Sequence, residues 1–179
     1  MGDKWDNFRQ RHSANHWFLF INIDHSLVQK LVVEKLRKIN KMTADIFQNL
    51  KVRAYATDFV VATVDSALPP NKDALAVIHN HRETTLVIAK SLLPKKGIIK
   101  QQAGWRLFTF ETTLDFEIVG FIAKISTALA KEGVNIFVLS AYSTDHFLVP
   151  NNKRSTTIAV LQKLGCQVID ELASMNKKS

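Results

Sequence analysis

Residues 105–149, WRLFTFETTLDFEIVGFIAKISTALAKEGVNIFVLSAYSTDHFLV, decide the fold. Trp105 to Glu111 alternates Trp, Leu and Phe with other residues and is rich in β-formers, which predicts a strand. The period then changes. Ile118, Ile122, Ile125 and Leu129 fall on one helical face, widened by Phe121 and Ala128. Asp115, with Leu114 before it, is the expected N-cap. Lys131 and Gly133 form the expected end, a basic last turn followed by a residue free to take positive φ. Val134 to Leu139 reads as a strand covered on both faces, Ser140 to Asp145 as a polar turn, and His146 to Val149 as the returning strand.

The chain after this stretch completes the unit. Thr156 to Leu164 predicts a second short helix, with Ile158 and Leu161 inward, stopped by Gly165. Cys166 to Ile169 predicts a last strand. The order βαββαβ is that of a ferredoxin-like α+β sandwich, an architecture that hosts many unrelated functions.

Upstream lies a smaller unit. Val52 to Asp65 predicts one or two strands, Leu68-Pro69-Pro70 a turn, Leu75 to His79 a short strand or a helical turn, and Thr84 to Ala89 a buried strand. Lys95 to Gly104 is polar and reads as a linker. The fold class expected is α+β: two tandem ferredoxin-like modules, the first with reduced helix content. The expected divisions are a basic extension over 1–48, partly disordered or helical, a degenerate module over 49–94, a linker over 95–104, a complete module over 105–170 and a tail over 171–179.

Composition limits the classes of function. The chain has 179 residues, 46% of them apolar, and can bury a core in one domain or two small ones. No apolar run approaches the ~20 residues of a membrane helix. The run from Trp17 to Ile23 is short and lacks a small-residue cleavage site, so no secretory signal is expected. The single cysteine, Cys166, excludes an internal disulfide and a cysteine-rich zinc site. The simplest location is cytoplasmic. The net charge is +8, and residues 1–41, with eight basic residues against four acidic ones, carry half of it. Such a segment either meets an anionic partner or is a solvated extension. Leu27, Leu31, Val32 and Leu36 predict an amphipathic helix inside it, with Ser26 as a cap and Asn40 at its end. Everything recognisable follows Met42, so a native start at Met42 is a second expectation for this region.

The segment GFIAKISTALAKEGVNIFVLSAYSTDHFLV resembles the ACT domain of amino-acid-responsive regulators, in which a glycine starts the first helix and a small residue plus Asn-Ile opens the second strand. More narrowly, RETTLVIAKSLLP, GWRLFTFETTLDFEIVGFIAKI and IFVLSAYSTDHFLV are similar in order and spacing to the CASTOR-like paired-ACT group, which includes cytosolic arginine sensors and bacterial proteins of unassigned role. The resemblance covers residues 50–170. It implies two ACT-like modules with a small-molecule pocket at a module interface, an amino acid or similar small ligand, and a regulatory or sensor role without catalysis. Carried onto this chain, the ligand-binding positions are Leu114, Asp115, Phe116, Gly120 and Phe121, then Ser140, Tyr142, Ser143, Thr144 and Asp145. Amides at a helix start suit a carboxylate, and Asp145 suits an ammonium. His146 stands where the sensors carry an aromatic residue, and Ala141 where threonine is usual.

Each of these positions also has a purely structural role open to it. Asp145 either binds ligand or satisfies turn amides. Asp115 is a cap or a contact. Gly120 allows ligand approach or close helix–sheet packing. His79 and His81 share a strand face but have no third metal ligand nearby, and Cys166 reads as a small buried residue. The sequence calls for no metal and no cofactor. Ser143, Asp145 and His146 are the residue types of a triad but alternate along one turn and strand, and no nucleophile elbow, phosphate loop or zinc-protease motif is present. The alternative function is a basic ferredoxin-like RNA-binding module stacking bases on Phe108, Phe110, Phe137 and Phe147. Its glycine-aromatic signature is missing, which makes nucleic acid the lesser expectation. A homodimer through strand edges or a sheet face is expected, and no membrane partner.

Overall fold

The computed structural model describes residues 25–65, 72–112 and 118–176. The chain falls into two compact units, residues 1–41 and 42–179. In order, the elements are α1 (His25–Asn49), β1 (Lys51–Val64), β2 (Ala76–His79), β3 (Thr84–Ala89), β4 (Ile98–Phe110), α2 (Phe121–Lys131), β5 (Phe137–Ser140), β6 (Asp145–Pro150), α3 (Arg154–Lys163), β7 (Gln167–Asp170) and α4 (Glu171–Asn176). No helix among the described residues is long and apolar enough to cross a membrane. Leu68-Pro69-Pro70 lies outside the described residues.

The strands form one sheet in the order β2-β3-β1-β4-β6-β5, with β7 pairing parallel to β1. β1 and β4 run 14 and 13 residues, roughly 45 Å each, and pair with each other through both halves of the sheet. The two expected modules are therefore two halves of a continuous sheet. The last strand does not sit beside the first strand of its own unit. Lys51–Ala54 of β1 lies between β7 and β4, with Val52 paired to Val168 on one side and to Phe110 on the other.

The linker expected over 95–104 is corrected in the same way. Residues from Ile98 onward are the first half of β4, paired to β1 at Thr63↔Lys100 and Val61↔Gln102. Their side chains are mostly exposed, so no apolar alternation marks them, and the ladder bonds hold the strand. The first unit is as poor in helix as expected: over 50–94 only the 3₁₀ turn Lys90–Leu92 is helical among the described residues. The helix expected over Leu27–Ile39 runs on to Asn49. The tail expected after Asp170 forms α4.

β1 bulges between Ala54 and Asp58. The backbone groups freed there are taken up by side chains: Arg106 donates to the Ala56 carbonyl and pairs with Asp58 at 3.1 Å, and Glu171 accepts from the Ala56 amide at 3.1 Å. A second shift, between Phe59/Trp105 and Val60/Ala103, falls at Gly104, whose φ is 85°.

The helices cover one face. Phe47, Leu50, Val52, Phe108, Phe110, Phe121, Ile125, Leu129, Phe147 and Leu161 are buried in one cluster there. Its centre is a run of rings. Phe110 stacks on Phe147 at 5.4 Å and meets Phe121 edge-on at 4.9 Å, and Phe121 stacks on Phe47 at 5.4 Å. Phe108 and Phe147 stack at 5.1 Å. Three of the four rings proposed for base stacking are thus sealed under helices, which removes the platform an RNA-binding sheet needs. The fourth, Phe137, packs on the other face with Trp105, Leu107 and Leu148.

Candidate functional site

The first turn of α2 is fixed by Phe121, its first residue, wedged between Phe47 and Phe110. The N-cap position is Gly120, in the left-handed region at φ 84°; Asp115, the expected cap, lies outside the described residues. Ile118, expected inside the helix, precedes it and packs against the core. The turn through Gly120 delays the helix start, because only after it does the backbone return to helical dihedrals. Gly120 accepts the first helical bond, from Lys124 N–H at 3.0 Å, and has no side chain with which to cap the amides of Phe121, Ile122 and Ala123. A Cβ on Gly120 would meet no described residue within 4 Å. Its backbone angle is what requires glycine, and among the described residues no close packing does.

Opposite α2 is the corner between β5 and β6. Ser140 pairs with Asp145, and the Ala141 N–H donates to the Thr144 carbonyl at 2.9 Å, closing the turn. His146 braces it from behind. Its Nδ1 lies 2.8 Å from Thr109 Oγ1 and its Nε2 3.2 Å from Thr144 Oγ1. Burial lowers the His146 pKa, opposed by the neighbouring Asp145 carboxylate, so the ring is neutral near pH 7.

A cleft of about 390 Å³ lies between these two structures. Seven of the ten expected ligand positions line it: Gly120 and Phe121 from the helix start, and Ser140, Tyr142, Ser143, Thr144 and Asp145 from the corner. Leu114, Asp115 and Phe116 fall in 113–117, outside the described residues. The cleft also takes in Ile118, Ile122, Ala123 and Ala141. Ile118 and Ile122 read from sequence as core-face helix residues and Ala123 carried no reading, although their places beside Gly120 were the available signal. Asp145 is the one carboxylate among the described lining residues, and no Lys or Arg is among them. Such a cleft offers helix-start amides that no described side chain caps at one wall, a carboxylate and hydroxyls at the other, and small aliphatic side chains between.

His79 bonds Thr84 Oγ1 through Nδ1 at 2.8 Å on an exposed edge. Cys166 is buried in the helix-face core, and burial pushes its thiol up to about 11.

Comparison with known proteins bears on the same segment. Residues 100–163 match the family model of the ACT domain, a span that contains every described residue of the cleft. No curated protein matches the chain in sequence. Among solved structures, protein Atu0741 from Agobacterium tumefaciens is similar at 21% identity and a TM-score of 0.60, over 69% of this chain and 94% of that one. VC0802 from Vibrio cholerae, described as a protein of unknown function, is similar at 25% identity and 0.58, over 71% and 98%. The aspartate kinase of Clostridium acetobutylicum, described as an allosteric enzyme, is similar at 16% identity and 0.52, over 64% of this chain and 34% of the kinase. At these identities the likeness to the Agobacterium protein and to the kinase is one of fold.

Proposed function

We propose that the chain is an amino-acid-binding regulatory protein of the paired-ACT, CASTOR-like kind, without catalysis of its own and acting in the cytoplasm. One observation carries this reading. Two segments some twenty residues apart, each expected from sequence to bind ligand, line a single cleft at a helix start that no described side chain caps. The ligand carboxylate takes the amides of Phe121 to Ala123, where the helix dipole favours an anion. The ligand ammonium takes Asp145. The walls formed by Ile118, Ile122 and Ala141 suit an uncharged side chain. A homodimer forms through an open sheet edge. β2 and β5 are the two ends of the strand order, and Val77 and Val138 on them are exposed apolar residues.

The test is native mass spectrometry of gently purified protein, which reads retained ligand and copy number together, followed by calorimetry with the amino acids. Binding of one or a few amino acids is expected. Asp145→Asn is expected to weaken it about 10–100-fold, the worth of one charge-assisted hydrogen bond. Unchanged affinity in Asp145→Asn overturns the assignment of the ammonium site. Absence of binding by every amino acid overturns the sensor reading.

A further inference from the structure

The sheet face away from the helices holds a second groove, of about 520 Å³, within the range of small-molecule sites. It shares no described residue with the cleft at α2. Its floor is one rung across four strands: Ile78 pairs with Thr85, Thr85 with Thr63, and Thr63 with Lys100. Residues paired this way point to the same face. Phe137 reaches the groove from β5, at the other end of the strand order, so the sheet coils enough for both ends to contribute to its walls.

The charges here are arranged about the floor. Thr63 Oγ1 donates to Glu83 Oε2 at 3.3 Å, and Thr85 Oγ1 donates to Glu83 Oε1 at 3.5 Å. Both carboxylate oxygens are thereby held over the line between β1 and β3. Lys100 stands on β4, about 7 Å away at one and a half strand spacings. It has no ion-pair partner among the described residues. Ile78 and Phe137 supply apolar walls on either side. An anion bridged by two threonine hydroxyls, a cation unpaired among the described residues a short step away, and apolar walls beside them match a small dipolar solute in charge order and in length.

We propose that this groove is a second small-molecule site, taking a zwitterion of amino-acid or dipeptide size. Its ammonium pairs with Glu83 and its carboxylate with Lys100. The site is independent of the ligand reading for the α2 cleft.

The experiment is a ¹⁵N NMR titration of the full chain with L-leucine and with glycyl-L-leucine at millimolar concentrations. The indole N–H of Trp105, buried without a hydrogen-bond partner among the described residues, packs behind Phe137 and reports on that wall as a separate resonance. The expected result is shift changes at Thr63, Thr85, Lys100 and the Trp105 indole for at least one probe. Glu83→Gln and Lys100→Gln each weaken that response about tenfold or more, and so do probes with the ammonium acetylated or the carboxylate amidated. Asp145→Asn leaves it unchanged. Both groove substitutions are at exposed polar residues, and the dispersion of their spectra checks folding. Shifts confined to Gly120–Asp145 overturn this proposal while supporting the α2 cleft. Groove shifts that survive both substitutions overturn it as well, as does the absence of any groove shift.

Discussion

Replacing Asp170 by Asn should destabilise the protein by about 3 kcal/mol while changing almost no volume. Arg154, the first residue of α3, is 8% exposed, and its guanidinium meets both Asp170 oxygens, Nη2–Oδ1 at 2.6 Å and Nη1–Oδ2 at 3.1 Å. Nη2 also reaches the Ala54 carbonyl at 3.4 Å, so the pair ties α3 to β1 and to the end of β7. Its Nε has no partner among the described residues. A neutral amide in place of the carboxylate would leave this buried cation without a counter-charge, which typically costs about 3–5 kcal/mol; Asp170 is 24% exposed at the side chain, which places the loss at the low end. For a chain of this size the melting temperature should fall about 6–12 °C. Arg154→Met removes the cation together with its orphan N–H, and leaves a carboxylate that still accepts the Ala173 amide at 3.1 Å and reaches water. It should therefore cost less than Asp170→Asn. Urea unfolding followed by circular dichroism measures both. The Arg154 hydrogen bond is the largest cause of the lowered Asp170 pKa. A carboxyl with a depressed folded pKa contributes its full stability above the unfolded value of about 3.9, and loses it as pH falls through the lower folded value. The gap between wild type and Asp170→Asn should therefore be full at pH 7 and close below about pH 4. A loss under about 0.5 kcal/mol for Asp170→Asn, the figure for an exposed pair, would refute the reasoning. So would a larger loss for Arg154→Met than for Asp170→Asn.

Two further outcomes follow from single residues. Gly120→Ala should cost about 1–2 kcal/mol, because φ is 84° and no described residue lies within 4 Å of the added Cβ, so the penalty is that of the left-handed backbone; Gly120→Asn should cost less, since Asn tolerates that region. Equal losses measured by urea unfolding for the two variants would contradict a backbone origin. Cys166, with its thiol pushed up to about 11, should react with an aromatic disulfide reagent at pH 8 only as fast as the protein opens, so the rate should rise with urea; prompt native reaction would show the site to be accessible.

Local sequence determined most of the elements and one half of the site logic. The ladder of Ile122, Ile125 and Leu129 specified α2, the run TTLVIA specified β3 to the residue, and the Ser140–Asp145 corner was visible as polar residues between two apolar runs. These features depend on side-chain periodicity and turn chemistry within a few residues, which a linear string carries in full. Tertiary structure decided what the string could not. It made a strand of the polar Ile98–Gly104, inserted Lys51–Ala54 between β7 and β4, and set the α2 cap at Gly120. Ladder hydrogen bonds join backbone groups irrespective of side chain, and their partners lie dozens of residues away. Which strand receives which edge, and so which two distant segments face each other across a cleft, is settled only when the whole sheet closes its hydrogen bonds at once.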